Sequence, residues 1–211
     1  MQLHYIDGSP FARILRVLLR EHGMDCQEHE IVEFPPPEAL FDLNPLGQVP
    51  VLVDQGVHYF PTRIAIDALL SRTSGKAGNI VQSVTRTSHQ SEDEQSLAVI
   101  LAMGDALVAH HYLKWAGVGP VDRDQLGFDP AQRNLLRVYR TLDWLQARMD
   151  VAGFFPDRIS VQDVALACFI LWTESRRPID WRGRRRIESL IEKLERRPSF
   201  VVTVPRPHQL K

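Results

Sequence analysis

Residues 44–67, NPLGQVPVLVDQGVHYFPTRIAID, read as a turn, a strand, a second turn, a second strand and the start of a helix. Val49–Val53 and Val57–Phe60 are apolar strand segments separated by Asp54-Gln55-Gly56. A short connection containing Gly is what a β-hairpin uses for its left-handed position. Pro50 removes an N–H just ahead of the first strand, and the bond before it can be cis at modest cost. Pro61-Thr62 then opens a helix.

Upstream, Gln2–Ile6 is a strand, Asp7-Gly8-Ser9-Pro10 is turn material, and helical spacing takes over at Ile14, Leu15, Leu18 and Leu19. Ser9 stands at the N-cap, Pro10 at the first helical position and Gly23 just past the end, the places where each residue type is favoured. Gln27–Val32 is a second strand candidate, Phe34–Pro37 a loop, and Glu38–Leu43 a single helical turn. The first ~75 residues thus read β-α-β-(α)-β-β-α, a mixed sheet covered by helices. Ser71–Gly78 is small and polar, as a linker is.

From about Val84 the strand signals stop. Glu92–Lys114 predicts one long helix, with Leu97, Leu101, Val108 and His111 near one face, and Gly117–Gly127 a loop. Asp129-Pro130 caps a helix with Leu135, Val138, Leu142, Leu145 and Met149 at 3- and 4-residue steps. Ser160-Val161-Gln162-Asp163 has the capping-box form and opens the apolar helix Val164–Trp172. A last helix spans Arg184 to Glu195, Arg197-Pro198 ends it, and the tail from Val202 is irregular.

The 211 residues carry 25 Lys+Arg against 26 Asp+Glu, a formal net charge of -1, which asks for neither nucleic acid nor an anionic membrane as partner. The apolar runs are short and broken by charges, so no transmembrane helix is expected, and the N-terminus lacks the pattern of a signal peptide. Cys26 and Cys168 are far apart, which leaves no disulfide framework and no metal site and points to a reducing, cytoplasmic setting. Arg182, Arg184, Arg185 and Arg186 read as a solvated helix start or carboxylate partners.

Six strings in order, Ser9-Pro10-Phe11-Ala12-Arg13, Asn44–Leu52, Phe60-x-Thr62-Arg63, Ser160–Ala167, Asp180-Trp181-Arg182 and Arg197–Phe200, make the chain resemble bacterial glutathione transferases over essentially its full length. The resemblance implies an α/β thioredoxin-like N-terminal domain with a mixed four-stranded sheet (residues 1–77), an all-α C-terminal domain (84–211) and a homodimer. It implies a transferase of the detoxification kind that uses glutathione as co-substrate and no metal.

Carried over position by position, Ser9 contacts the glutathione sulfur, with Phe11 beside it in the same motif. Val49 before Pro50 pairs its backbone with the cysteinyl part, Gln48 lines the glycyl end, and Thr62 takes the γ-glutamyl carboxylate at a helix start. Each has a plainer reading: Ser9 and Thr62 as helix caps, Pro50 as a turn proline. Tyr5 is the second candidate hydroxyl for the sulfur. His111 and Tyr112, with His110, sit on the helix that walls the electrophile pocket in the family, or are partly exposed helix residues. Pro61 departs from the pattern, since family members commonly carry Glu or Asp there to hold the ligand's α-amino group. The expected activity is conjugation of glutathione to a small apolar electrophile; the alternative is a non-catalytic binding protein of the same fold with weakened glutathione affinity.

Overall fold

The computed structural model of the chain describes residues 1–33, 35–73, 84–86, 88–118, 127–176 and 179–206. Its N-terminal part holds β1 (Gln2–Tyr5), α1 (Pro10–Glu21), β2 (Gln27–Glu30), α2 (Leu40–Leu43), β3 (Val51–Asp54), β4 (Val57–Tyr59) and α3 (Thr62–Leu70). The strands form one sheet in the order β2-β1-β3-β4, with β1 and β2 parallel and β3 antiparallel to both of its neighbours. This is the mixed sheet that the sequence pattern called for, in the thioredoxin-like arrangement that the family resemblance implied. Leu3 lies opposite Leu52 across the β1–β3 pair, and both are fully buried with Ile14, Leu18, Ile66 and Leu69. The hairpin turn places Gln55 and Gly56 at positive φ, as its Gly implied.

The rest is helical: α4 (Gln90–Trp115), α5 (Pro130–Gln146), α6 (Val161–Arg176), α7 (Arg185–Leu194) and α8 (Pro198–Val201). The expected linker 71–78 and loop 117–127 fall mostly outside the described residues, as does the end of the tail. The last helix is followed by a short one, α8, which the sequence reading ended at Pro198; Pro198 is instead its first residue, with Arg197 at the N-cap.

α6 is the centre of the second half, buried from Val161 to Ile170, and it packs on α1, α4 and α7. Its start is held by the expected capping box. Asp163 accepts from the Ser160 N–H (2.8 Å) and hydroxyl (2.7 Å), and the Ser160 hydroxyl accepts from the Asp163 N–H (3.1 Å). Asp163 also accepts from the Phe154 N–H (3.0 Å).

Two expectations for α4 are corrected. Its buried stripe is Leu97, Ile100, Met103, Gly104, Leu107 and His110, one step round from the face that the sequence spacing favoured. The helix is also long and apolar enough, by length and hydropathy, to cross a membrane, because Asp105 is the only Asp, Glu, Lys or Arg between Ser96 and Leu113. In this fold that apolar stripe packs against α5 and α6.

Gly104 packs directly against the Phe169 side chain of α6. A Cβ there would stand 2.2 Å from the Phe169 ring, which in turn meets the Phe11 ring edge-on at 4.9 Å. Gly104→Ala gains about 1 kcal/mol of helix propensity but overpacks a fully buried ring, at a cost of about 1–3 kcal/mol. The variant should therefore unfold at lower denaturant than the parent in an equilibrium titration; equal or higher stability would remove the close packing at Phe169 from this account.

The two halves are tied through α1. Arg13, 3% exposed, donates to the Phe200 C=O (3.1 Å) and the Thr203 hydroxyl (3.4 Å). Glu21 accepts from Arg197 at 2.9 and 2.6 Å and from the Ser199 hydroxyl. Burial works to raise the Glu21 pKa, but these donors prevail and hold it below the usual carboxylate range. In the basic run after Trp181, Arg182 pairs with Glu174 (3.1 Å) and Arg184 with Asp143 (2.8 Å), while Arg186 donates to the Gln146 and Met149 C=O groups, so carboxylate pairing holds for two of the four arginines.

Candidate functional site

The strand register brings three parts of the sequence to one end of the sheet. His4 lies opposite Val51 and Leu52 opposite Tyr59, with β3 running against both neighbours. The turn leaving β1 at Ser9, the Val49-Pro50 step entering β3 and the Pro61-Thr62 step leaving β4 therefore share that end. Adjacent strands are about 4.8 Å apart, so these three points span roughly 10 Å, the length of an extended tripeptide.

Ser9 is the N-cap of α1. Its N–H donates to the Ile6 C=O (2.9 Å), and its Oγ accepts from the Ala12 N–H (3.2 Å). A hydroxyl has one donor and two acceptor sites, and capping uses only an acceptor. The O–H proton remains for an anion, so the capping and sulfur-binding readings of Ser9 are compatible. No acidic residue stands in the first turn of α1, and the helix dipole favours negative charge there. Asp7, close by in sequence, pairs with Arg16 (3.2 Å) and accepts from the Arg206 N–H (2.7 Å).

Tyr5, the second candidate hydroxyl, is 7% exposed. It donates to Glu30 (3.4 Å) beneath the Arg16 guanidinium, which lies 4.3 Å from its ring centre. Phe11 packs on Phe169 and is half-buried. The thiols are poor nucleophiles: burial pushes Cys26 up to about 11 and Cys168 up to about 12.

The bonds Val49-Pro50 and Phe60-Pro61 are both cis. Val49 is half-buried, and among the described residues no hydrogen bond engages its N–H or C=O. The loop before it is organised by Asn44, a 2% exposed residue that sequence reading treated only as part of a motif. Its side chain accepts from the Leu46 N–H (3.0 Å) and donates to the Gln48 C=O (2.7 Å). The Gln48 side chain is exposed.

Pro61 is the N-cap of α3 and supplies no side-chain cap. Its C=O accepts from the Ile64 and Ala65 N–H groups, which leaves the N–H groups of Thr62 and Arg63 at an uncapped helix start. Thr62 is 7% exposed, and Arg63 pairs with Asp67 (3.2 Å) and Glu94, joining α3 to α4.

The candidate electrophile wall reaches the same region from α4. The His111 ring meets Trp172 edge-on at 5.2 Å, and the Trp172 indole N–H donates to the Gly8 C=O (2.9 Å), one residue before Ser9. Tyr112, 47% exposed, and Trp115, 38% exposed, extend this aromatic surface, with ring centres 5.8 Å apart. His110 points elsewhere, buried against the Ala131 C=O (2.9 Å). Trp172 and Arg176 were missed by the sequence reading, which ended the core helix at Trp172; their spacing of one turn at its polar end was the available signal.

Residues 3–77 match the family model described as the N-terminal domain of glutathione S-transferase. Over 207 residues the chain is 26% identical to an uncharacterized GST-like protein, YibF, of Escherichia coli (strain K12), covering 93% of this chain and 95% of that one. Among solved structures it superposes on a glutathione S-transferase of Methylobacillus flagellatus with glutathione bound (TM-score 0.77, 24% identity, 97% of this chain and 99% of that one). A glutathione S-transferase of Methylobacterium radiotolerans, in complex with glutathione sulfonate, gives TM-score 0.79 at 22% identity, covering 100% of this chain and 97% of that one.

Proposed function

For this chain, which belongs to the glutathione transferase family, we propose a glutathione-dependent transferase activity, with residues 1–77 binding glutathione and residues 84–211 walling the electrophile. The observation that carries the reading is the convergence of the Ser9 hydroxyl, the open Val49 backbone and the uncapped start of α3 at one end of the sheet. The relatives solved with glutathione and glutathione sulfonate support it.

The tripeptide lies across that end as an added extended segment. Its cysteinyl part pairs with Val49, and its γ-glutamyl carboxylate meets the Thr62 hydroxyl and the N–H groups at Thr62 and Arg63. A free thiol with a pKa of about 8.5 is roughly 3% ionised at pH 7; lowering it by two units makes about three-quarters of it thiolate. The Ser9 O–H and the N-terminus of α1 supply that stabilisation. The thiolate then meets an electrophile held against His111 and Tyr112, so catalysis is proximity plus a lowered thiol pKa. A homodimer in the cytoplasm with a detoxifying role accompanies this reading; the exposed Phe41, Leu46, Val57 and Ile64 on the first unit support association, and a sedimentation mass of two chains is the expected result.

Pro61 favours the second reading, a binding protein of the same fold without turnover, because it cannot supply the carboxylate that holds the ligand's α-amino group. A missing charged hydrogen bond costs about 1.5–3 kcal/mol, roughly ten- to a hundredfold in affinity. Pro61→Glu should tighten glutathione binding by that factor in a calorimetric titration; unchanged affinity would mean the α-amino group is held elsewhere. Turnover separates the two readings. The parent protein should accelerate glutathione conjugation of a chromophoric aryl halide above the uncatalysed rate, and glutathione binding with no acceleration would select the binding protein.

A further inference from the structure

Arg176, the last residue of α6, carries its guanidinium onto the loop that precedes Ser9: a Cβ on Gly8 would stand 2.8 Å from Arg176 Nη2. Any larger residue at position 8 would displace the end of the Arg176 side chain. Trp172, one turn earlier on the same face, anchors the helix to this loop through its bond to the Gly8 C=O (2.9 Å) and presents its ring to His111. Among the described residues no carboxylate pairs with Arg176, whereas Arg16 and Arg63 each have two and Arg86 and Arg197 one. The neighbouring Asp7 is taken by Arg16 and Arg206. Arg176 is half-buried.

An unpaired guanidinium with a forked donor set suits a planar carboxylate. On the glutathione reading the γ-glutamyl carboxylate goes to the α3 end, about two strand spacings from the β1 loop where Arg176 sits, and the glycyl carboxylate to the Gln48 end. With both of glutathione's carboxylates assigned, a carboxylate at Arg176 would belong to the second substrate. Resting on the glutathione reading above, we propose that Arg176 determines specificity for electrophiles that carry a carboxylate, with the aromatic surface of Tyr112 and Trp115 receiving the ring or chain between the carboxylate and the reacting carbon.

The test compares 4-chloro-3-nitrobenzoate with its uncharged methyl ester as substrates. In both, the thiolate forms a C–S bond at the chlorine-bearing carbon, and chloride leaves with the electron pair of the C–Cl bond; the thiol proton has already gone to solvent. Arg176→Gln should lower kcat/KM for the carboxylate by about tenfold, chiefly through KM, and leave the ester within about twofold. Arg176→Lys should retain part of the carboxylate activity. An equal fall for both substrates, or no change for either, overturns the carboxylate role while glutathione binding, read by calorimetry on the same variants, still stands. Failure of the parent to turn over either substrate overturns this proposal and the transferase reading beneath it.

Discussion

Replacing Asp163 with alanine should destabilise the protein by about 3–5 kcal/mol, a large share of the roughly 5–15 kcal/mol that holds a domain folded. The carboxylate is fully buried and accepts the Ser160 N–H, the Ser160 hydroxyl and the Phe154 N–H. Truncation strands two backbone donors in an apolar interior, each costing about 1–3 kcal/mol, and removes half of the capping box. It also unfastens the loop before α6, where Gly153 at φ 131 approaches the same carboxylate so closely that a Cβ would stand 2.6 Å from Oδ1. Because α6 packs on α1, α4 and α7, loss of its start loosens both halves. Denaturant unfolding measures this directly, and a loss below about 1 kcal/mol would show that the box is dispensable. The group also leaves a pH signature. Burial outweighs the hydrogen bonds and pushes the Asp163 carboxyl up to about 6. The folded chain then keeps its proton longer than the unfolded one, so this residue's contribution to stability falls as pH rises from about 4 through 6 and is level above that. The alanine variant should lose that slope.

Ser9→Ala should raise the pKa of bound glutathione by about one to two units and lower kcat/KM at neutral pH by roughly ten- to a hundredfold, the worth of a hydrogen bond to a charged acceptor. The same change removes the bond from the Ala12 N–H and costs about 0.5–2 kcal/mol of stability as a lost cap. The two effects can be separated. Thiolate absorbance against pH reads the sulfur, and unfolding reads the cap. Ser9→Asn should keep much of the cap, since asparagine caps as well as serine, while its longer side chain aims its donor differently. A loss of turnover in Ser9→Asn comparable with that of Ser9→Ala, with stability nearly retained, is the expected pattern; unchanged thiol pKa in both variants would remove Ser9 from the chemistry and leave it a cap.

These two residues also show how far the sequence could be read. Ser9-Pro10, Asp129-Pro130 and the Ser160–Asp163 box are local signals, because a cap and its helix lie within four residues of each other, and all three stand where their spacing placed them. The hairpin around Gly56 was legible for the same reason. What was lost depends on contacts across the chain. Nothing local marks Arg13 as the residue that grips Phe200, or Glu21 as the partner of Arg197, since each pair is separated by more than 170 residues. The buried face of α4 was misjudged because the helix is apolar nearly all round, so periodicity could not choose among faces; Gly104 against Phe169 decided it. Trp172 was read as the end of a core helix, and Arg176, a turn beyond it, was given no role. Their meaning comes from Gly8, which the fold brings to them from the far end of the sequence.

The central claim is that the sheet end formed by Ser9, Val49 and Thr62 is a glutathione site, and calorimetric titration of the parent protein with glutathione tests it most directly. Heat should saturate at one ligand per chain within the millimolar range, with affinity weakened by Thr62→Ala and strengthened by Pro61→Glu. No heat at millimolar glutathione, or binding indifferent to both substitutions, would contradict it.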